Sequence, residues 1–82
     1  MNTLPVIEYV TIEIARCDHR WGPFKSSHEG LGVLTEEYHE LVTAIRGNRL
    51  DKIRAEAIQV AAAALRLAEA CGDTGFAARS IK

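Results

Sequence analysis

The stretch Leu41-Val42-Thr43-Ala44-Ile45-Arg46-Gly47-Asn48-Arg49-Leu50-Asp51-Lys52-Ile53 joins two helical patterns through a turn of a few residues. Gly47-Asn48 is a helix stop, because both residues tolerate the left-handed backbone that closes a last turn. Asp51 is placed to cap the helix that follows. A connection this short makes the two helices antiparallel neighbours. Upstream, Ser26 and Glu29 fit an S-x-x-E capping box and start the first of these helices at about 27–46. Its apolar stripe is Leu31, Leu34, Tyr38, Leu41, Val42 and Ile45. Downstream, the alanine-rich run Gln59 to Leu65 favours helix strongly, and the pattern extends over about 51–71 before Gly72-Asp73.

A further helix precedes the hairpin, at about 4–19, with Pro5 in its first turn. Ile7, Val10, Ile14, Cys17 and Trp21 recur at alternating spacings of four and three, which is one face of a helix. The β-branched run Val6 to Ile14 would also suit a strand, but the apolar period persists longer than a strand does. Gly22-Pro23 ends it. The chain thus reads as a single all-α domain, 1–82: a three-helix protomer built on a central antiparallel hairpin, with a short tail at 74–82. Phe76 and Ile81 in the tail are expected to fold back or to reach a partner subunit.

A chain of 82 residues, 48% hydrophobic, has a thin core; domains this small bury only about 60% of their unfolded surface. Helix three carries a second apolar edge, Ile58, Ala61 and Leu65, roughly opposite Glu56. A second copy would cover it, giving a four-helix-bundle core in a homodimer or homotetramer. Cys17 and Cys71 show no C-x-x-C spacing, no signal peptide is visible, and no uncharged stretch approaches membrane-spanning length. A reduced, cytoplasmic protein is expected. Ten Lys and Arg against eleven Asp and Glu leave no positive excess for a phosphate backbone, so neither membrane nor nucleic acid is an expected partner.

The chemistry lies in the carboxylates. Glu36, Glu37 and Glu40 share about a third of one helix circumference. Like charges at such spacings repel, and none of the three has a Lys or Arg four residues on. Glu56 sits among Ile53, Val60, Ala63, Ala64 and Leu67, with Gln59 beside it. A glutamate on an apolar face is costly unless it is paired or binds a metal. Lys52, four residues before Glu56, offers a simple ion pair as the plain structural explanation. Acids converging across a hairpin make an oxygen-only site for a hard cation. Mg2+ fits, with Mn2+ as a substitute. His19, His28 and His39 lack zinc-like spacing with the cysteines.

Glu37-x-x-Glu40, a gap of fifteen residues and Glu56-x-x-Gln59 resemble the E-x-x-E … E-x-x-D pattern of the MazG-like nucleoside triphosphate pyrophosphohydrolases, members of the all-α NTP pyrophosphatase superfamily. The resemblance covers about Trp21 to Ala70. It implies Mg2+ held by the motif acids, and water delivered to the α–β phosphoanhydride of a (deoxy)nucleoside triphosphate. The products would be a nucleoside monophosphate and pyrophosphate, in house-cleaning or control of the nucleotide pool. Glu37 and Glu40 match the first acidic pair and Glu56 the first acid of the second. Gln59 departs from the pattern: its amide can ligate through oxygen but carries no charge. Glu36 then serves as an extra ligand or as the base for the attacking water. Lys25, beside the start of helix two, is the first candidate for phosphate oxygens, followed by Arg54, Lys52, Arg46 and Arg49. Trp21 and Phe24 are candidates for stacking on a base or for the core. The alternative implied by Gln59 is a catalytically reduced module of the same fold, used for oligomerisation or nucleotide sensing.

Overall fold

A computed structural model describes residues 4–72, and the tail at 74–82, with Phe76 and Ile81, lies outside them. Three helices make up the described residues, with no strand among them: α1 (Val6–Trp21), α2 (Ser27–Gly47) and α3 (Leu50–Gly72). The β-branched start of α1 is helical, and Pro5 is its N-cap, with the Pro5 carbonyl accepting from the Glu8 N–H at 2.9 Å. α1 runs on through Trp21 until Gly22, at φ 76°, turns its N–H back to the Asp18 carbonyl at 2.8 Å. That backbone region suits glycine.

The start of α2 is held at both ends of a local exchange. Ser26 Oγ accepts from the Glu29 N–H at 3.1 Å, while the Glu29 carboxylate accepts from the Lys25 N–H at 2.6 Å. The carboxylate thus reaches one residue further back than in the usual capping box. At the other end, Asn48 is left-handed at φ 56°, and its N–H is shared by the Ala44 and Ile45 carbonyls. The hairpin turn differs in one detail from the sequence expectation. The Arg49 carbonyl accepts the first helical bond of α3, from Ile53 N–H at 2.9 Å, so the cap falls before Asp51. Asp51 lies in the first turn, where its charge still meets the positive end of the helix.

α3 is the central element. α2 and α1 each pack on it, and they do not pack on each other. α2 runs antiparallel, with Gly30 near Leu67 and Glu40 near Glu56. α1 runs parallel to α3, with Tyr9 near Arg54 and Asp18 near Arg66. Small residues allow this closeness: Ala62, Ala63 and Ala70 are buried on α3, and Ala44 on α2. A Cβ on Gly30 would lie only 2.6 Å from Leu67 Cδ1. Phe24 from the α1–α2 loop is buried against Ala70, Val33 and Leu67; it is a core residue.

The face that α2 turns to α3 is rotated from the expected stripe. Gly30 and Ala44 are buried and Val33, Glu37 and, from the expected stripe, Leu34, Leu41 and Val42 are half-buried, whereas Leu31, Tyr38 and Ile45 are exposed. On α3, Ile58 and Ala61 are half-buried within the protomer, and Leu65 is exposed. No helix among the described residues is long and apolar enough to cross a membrane.

Candidate metal centre

Glu37 and Glu40 stand one turn apart on α2, and Glu56 faces them from α3. Carboxylate oxygens of the three lie within 4.8 Å of one another. Packing enforces this closeness. Glu37 falls in the buried row of α2, and the Glu56 side chain retains only 15% of its exposure. Oε1 of Glu37 and Oε1 of Glu56 are both buried without a hydrogen-bond partner. Unsatisfied buried acceptors are rare and costly. Burial, then the Glu40 charge, pushes the Glu37 and Glu56 carboxyls above the usual range. Lys52 Nζ reaches Glu56 Oε2 at 3.9 Å. That long ion pair leaves Oε1 without a donor.

Buried acceptors, clustered negative charge and all-oxygen chemistry fit a hard divalent cation, which would satisfy the orphaned oxygens and relieve the repulsion together. Gln59 is half-buried and lies near Glu13 of α1, where its amide helps to keep that carboxylate charged. A carboxylate at position 59 would face Glu13 as a like charge. The amide avoids that conflict, which gives the departure from an acidic residue a physical reason. Glu36 is exposed and shares a cavity wall with Glu37 and Gln59.

Two hollows flank the carboxylates. A groove of about 530 Å³ beside the hairpin turn is lined by Glu40, Glu56, His39, Thr43, Arg49 and Lys52, among others. A cavity of about 390 Å³ between α1 and α2 is lined by Glu36, Glu37, Gln59, Trp21, Arg16 and Arg66, among others. Trp21 is 58% exposed at that cavity, with the Arg20 guanidinium over its ring. Lys25 lines neither hollow. Arg54 also lines neither: its guanidinium lies 5.3 Å from the centroid of the Tyr9 ring, toward α1.

Two residues near the site escaped the sequence reading. Glu13 is gripped by Arg16, Nε to Oε1 at 3.1 Å and Nη2 to Oε2 at 2.6 Å, and accepts from Cys17 Sγ at 3.4 Å. The Arg16 contact, more than any other, holds this carboxyl below its usual range. Arg66 is 6% exposed; it donates to Asp18 Oδ1 at 2.9 Å and to the Gly22 carbonyl at 2.8 Å, and lies over the Phe24 ring. The signal for both was the one that exposed Glu56, a charged residue set in an apolar row.

Compared with protein-family models, curated proteins and solved structures, the chain matches none. The described residues form three helices, with a group of three glutamates between two hollows.

Proposed function

We propose that the protein is a Mg2+-dependent nucleoside triphosphate pyrophosphohydrolase of the MazG-like kind. The observation that carries this reading is the convergence of Glu37, Glu40 and Glu56 around two buried, unpartnered oxygens. These three residues would hold the cation, with Mn2+ able to replace Mg2+, and the Gln59 amide oxygen is a neutral fourth donor. When bound, the cation neutralises phosphate charge and polarises the α-phosphorus.

The chain's own groups handle the rest. Glu36, on the cavity wall beside Glu37, is the base that takes a proton from the attacking water. The water oxygen bonds to the α-phosphorus and the α–β bridge breaks. Its oxygen leaves on pyrophosphate, and the nucleoside monophosphate retains the new oxygen. Trp21, exposed at the cavity and with Arg20 over its ring, is the residue to stack on the base. Lys25 and Arg54, expected to contact phosphate, stand outside both hollows, so Arg49 and Lys52 are the better-placed cations.

The working unit is a homodimer or homotetramer with a four-helix core, in a reducing cytoplasm. Leu31, Leu34, Tyr38, Leu41 and Ile45 repeat at alternating spacings of three and four on α2, and Leu31, Tyr38 and Ile45 are each more than half exposed. Such an uncharged seam suits a second copy of the same helix.

A second reading, a catalytically reduced nucleotide-sensing or oligomerisation module, draws on Gln59, whose neutral amide stands where the motif has an acid. Incubation with a panel of ribo- and deoxyribonucleoside triphosphates and Mg2+ separates the two. Monophosphate and pyrophosphate should accumulate for at least one of them, and absence of turnover for every nucleotide would sink the hydrolase assignment.

A further inference from the structure

We propose that Glu13 of α1 is a positioning residue of the metal centre. Its carboxylate takes the N–H end of the Gln59 amide, which turns the Gln59 carbonyl oxygen toward Glu37 and Glu56. The charge that position 59 lacks is thus supplied from α1. The inference rests on the metal-dependent hydrolase reading of the carboxylates and adds to it a residue outside the acidic motif.

The register of α1 along α3 sets the two side chains level. Tyr9 meets Arg54 and Asp18 meets Arg66 on these parallel helices. Glu13 falls between Tyr9 and Asp18, and Gln59 between Arg54 and Arg66. Arg16 first, then Gln59 and Cys17, keep the Glu13 carboxylate charged against its burial. An acid paired only with a surface arginine stays in water, yet the Arg16 side chain is 53% exposed and that of Glu13 only 12%. Glu13 is tucked against α3, a cost that its pair with Arg16 does not require. Its present donors leave room for one more. Oε1 accepts from Arg16 Nε at 3.1 Å, while Oε2 accepts from Arg16 Nη2 at 2.6 Å and from Cys17 Sγ at 3.4 Å. A carboxylate has about four acceptor positions, so Oε1 keeps one for an amide N–H.

Gln59 stands between this carboxylate and the centre. It is three residues from Glu56, on the same side of α3, and shares a cavity wall with Glu37. The two ends of an amide differ little in shape, so the neighbouring groups decide which end faces where. Oε1 of Glu37 and Oε1 of Glu56 have no donor; Gln59, beside both residues, does not spend its NH2 on either oxygen. An ionised carboxylate only accepts, so Glu13 draws the NH2 to its own side. The carbonyl oxygen is left for a cation held by Glu37, Glu40 and Glu56.

Titration with Mn2+, followed by loss of the free-ion EPR signal, tests this without turnover. Glu13→Gln should weaken Mn2+ by about tenfold or more, the usual scale for losing a partner that orients a ligand. Arg16→Gln, which keeps the Glu13 charge, should weaken it less. Glu13→Gln combined with Gln59→Glu moves the charge to position 59 and should restore the affinity. Gln59→Glu alone sets two carboxylates face to face, so its metal-free melting temperature should fall below that of the swapped pair. The same melts check that each variant folds. Wild-type affinity in Glu13→Gln, equal losses in Glu13→Gln and Arg16→Gln, or no recovery in the swapped pair overturns the positioning role. A wild-type chain that takes up no Mn2+ overturns it too, together with the hydrolase reading. Mn2+ binding that follows the charge swap, without turnover of any nucleotide, supports the role and defeats the hydrolase reading alone.

Discussion

Glu37 on α2 and Glu56 on α3 each bury Oε1 without a hydrogen-bond partner, and carboxylate oxygens of the two lie within 4.8 Å of each other. Two helices packed through alanines and a glycine have brought like charges together, with Oε1 of Glu37 and of Glu56 shielded from water. The mutual repulsion of these carboxylates opposes folding.

Neutralising either acid should therefore stabilise the metal-free chain. For Glu37→Gln or Glu56→Gln we expect a gain of roughly 0.5–1 kcal/mol near neutral pH, about 2–8 °C in a domain of this size. Mg2+ or Mn2+ should raise the Tm of the wild type, and the same variants should lose that rise. Melting curves with and without cation read both effects, and a metal-dependent rise retained by both variants would misplace the site.

The pH dependence has a definite sign. Burial and Glu40 raise the Glu37 and Glu56 carboxyls, so between the unfolded value, about 4.3, and the raised folded value the native chain binds more protons. Metal-free stability from these groups is intact below the unfolded value and is lost as pH rises through the folded one. Glu13, lowered chiefly by Arg16, works oppositely, and its contribution is lost as pH falls through its folded value. Subtracting the melting profile of Glu37→Gln/Glu56→Gln from the wild-type profile isolates the first effect. The wild-type deficit should grow from mildly acidic toward neutral pH and be erased by saturating cation.

Arg66 ties α3 to the end of α1 and to the loop that follows it. Arg66→Ala removes two charged hydrogen bonds and the stacking on Phe24, and should cost about 2–4 kcal/mol. Asp18→Asn should cost less, because Asp18 stays 43% exposed and its carbonyl oxygen can still accept. Chemical denaturation of the two variants gives the comparison. Equal costs would show that the pair, not the burial of Arg66, dominates.

Leu31→Lys with Ile45→Lys tests the α2 seam. Both residues are exposed in the protomer, so the substitutions should leave helix content unchanged while dissociating the oligomer. Light scattering coupled to size exclusion should report the protomer mass of 9.0 kDa. A wild-type mass already at that value would remove the oligomer from the scheme.

Local signals made the helices legible in the sequence. Gly47-Asn48, the Ser26–Glu29 pair and Gly22-Pro23 act through backbone bonds a few residues apart, and each marks the end or start that it suggested. The meeting of Glu37, Glu40 and Glu56 was also accessible, since helical spacing and a short turn leave few alternatives. The rotation of α2 was not. Rows 30-33-37-41-44 and 31-34-38-41-45 both have helical period, and only the small-residue surface of α3 and the near-contact of Gly30 with Leu67 decide between them. Glu13 with Gln59, and Asp18 with Arg66, join residues more than forty apart in the chain. The misfit of each charged residue was visible, but its partner depended on how α1 lies along α3.

The most direct test is 31P NMR of the protein with nucleoside triphosphates and Mg2+ in 18O-labelled water, run beside Glu56→Gln. Wild type should yield monophosphate and pyrophosphate with the heavy oxygen on the monophosphate alone, and Glu56→Gln should lose this activity by about a hundredfold or more, the scale of about 2.7 kcal/mol of transition-state stabilisation. Release of inorganic phosphate with a diphosphate, label on pyrophosphate, or undiminished turnover in Glu56→Gln would contradict the assignment of these carboxylates.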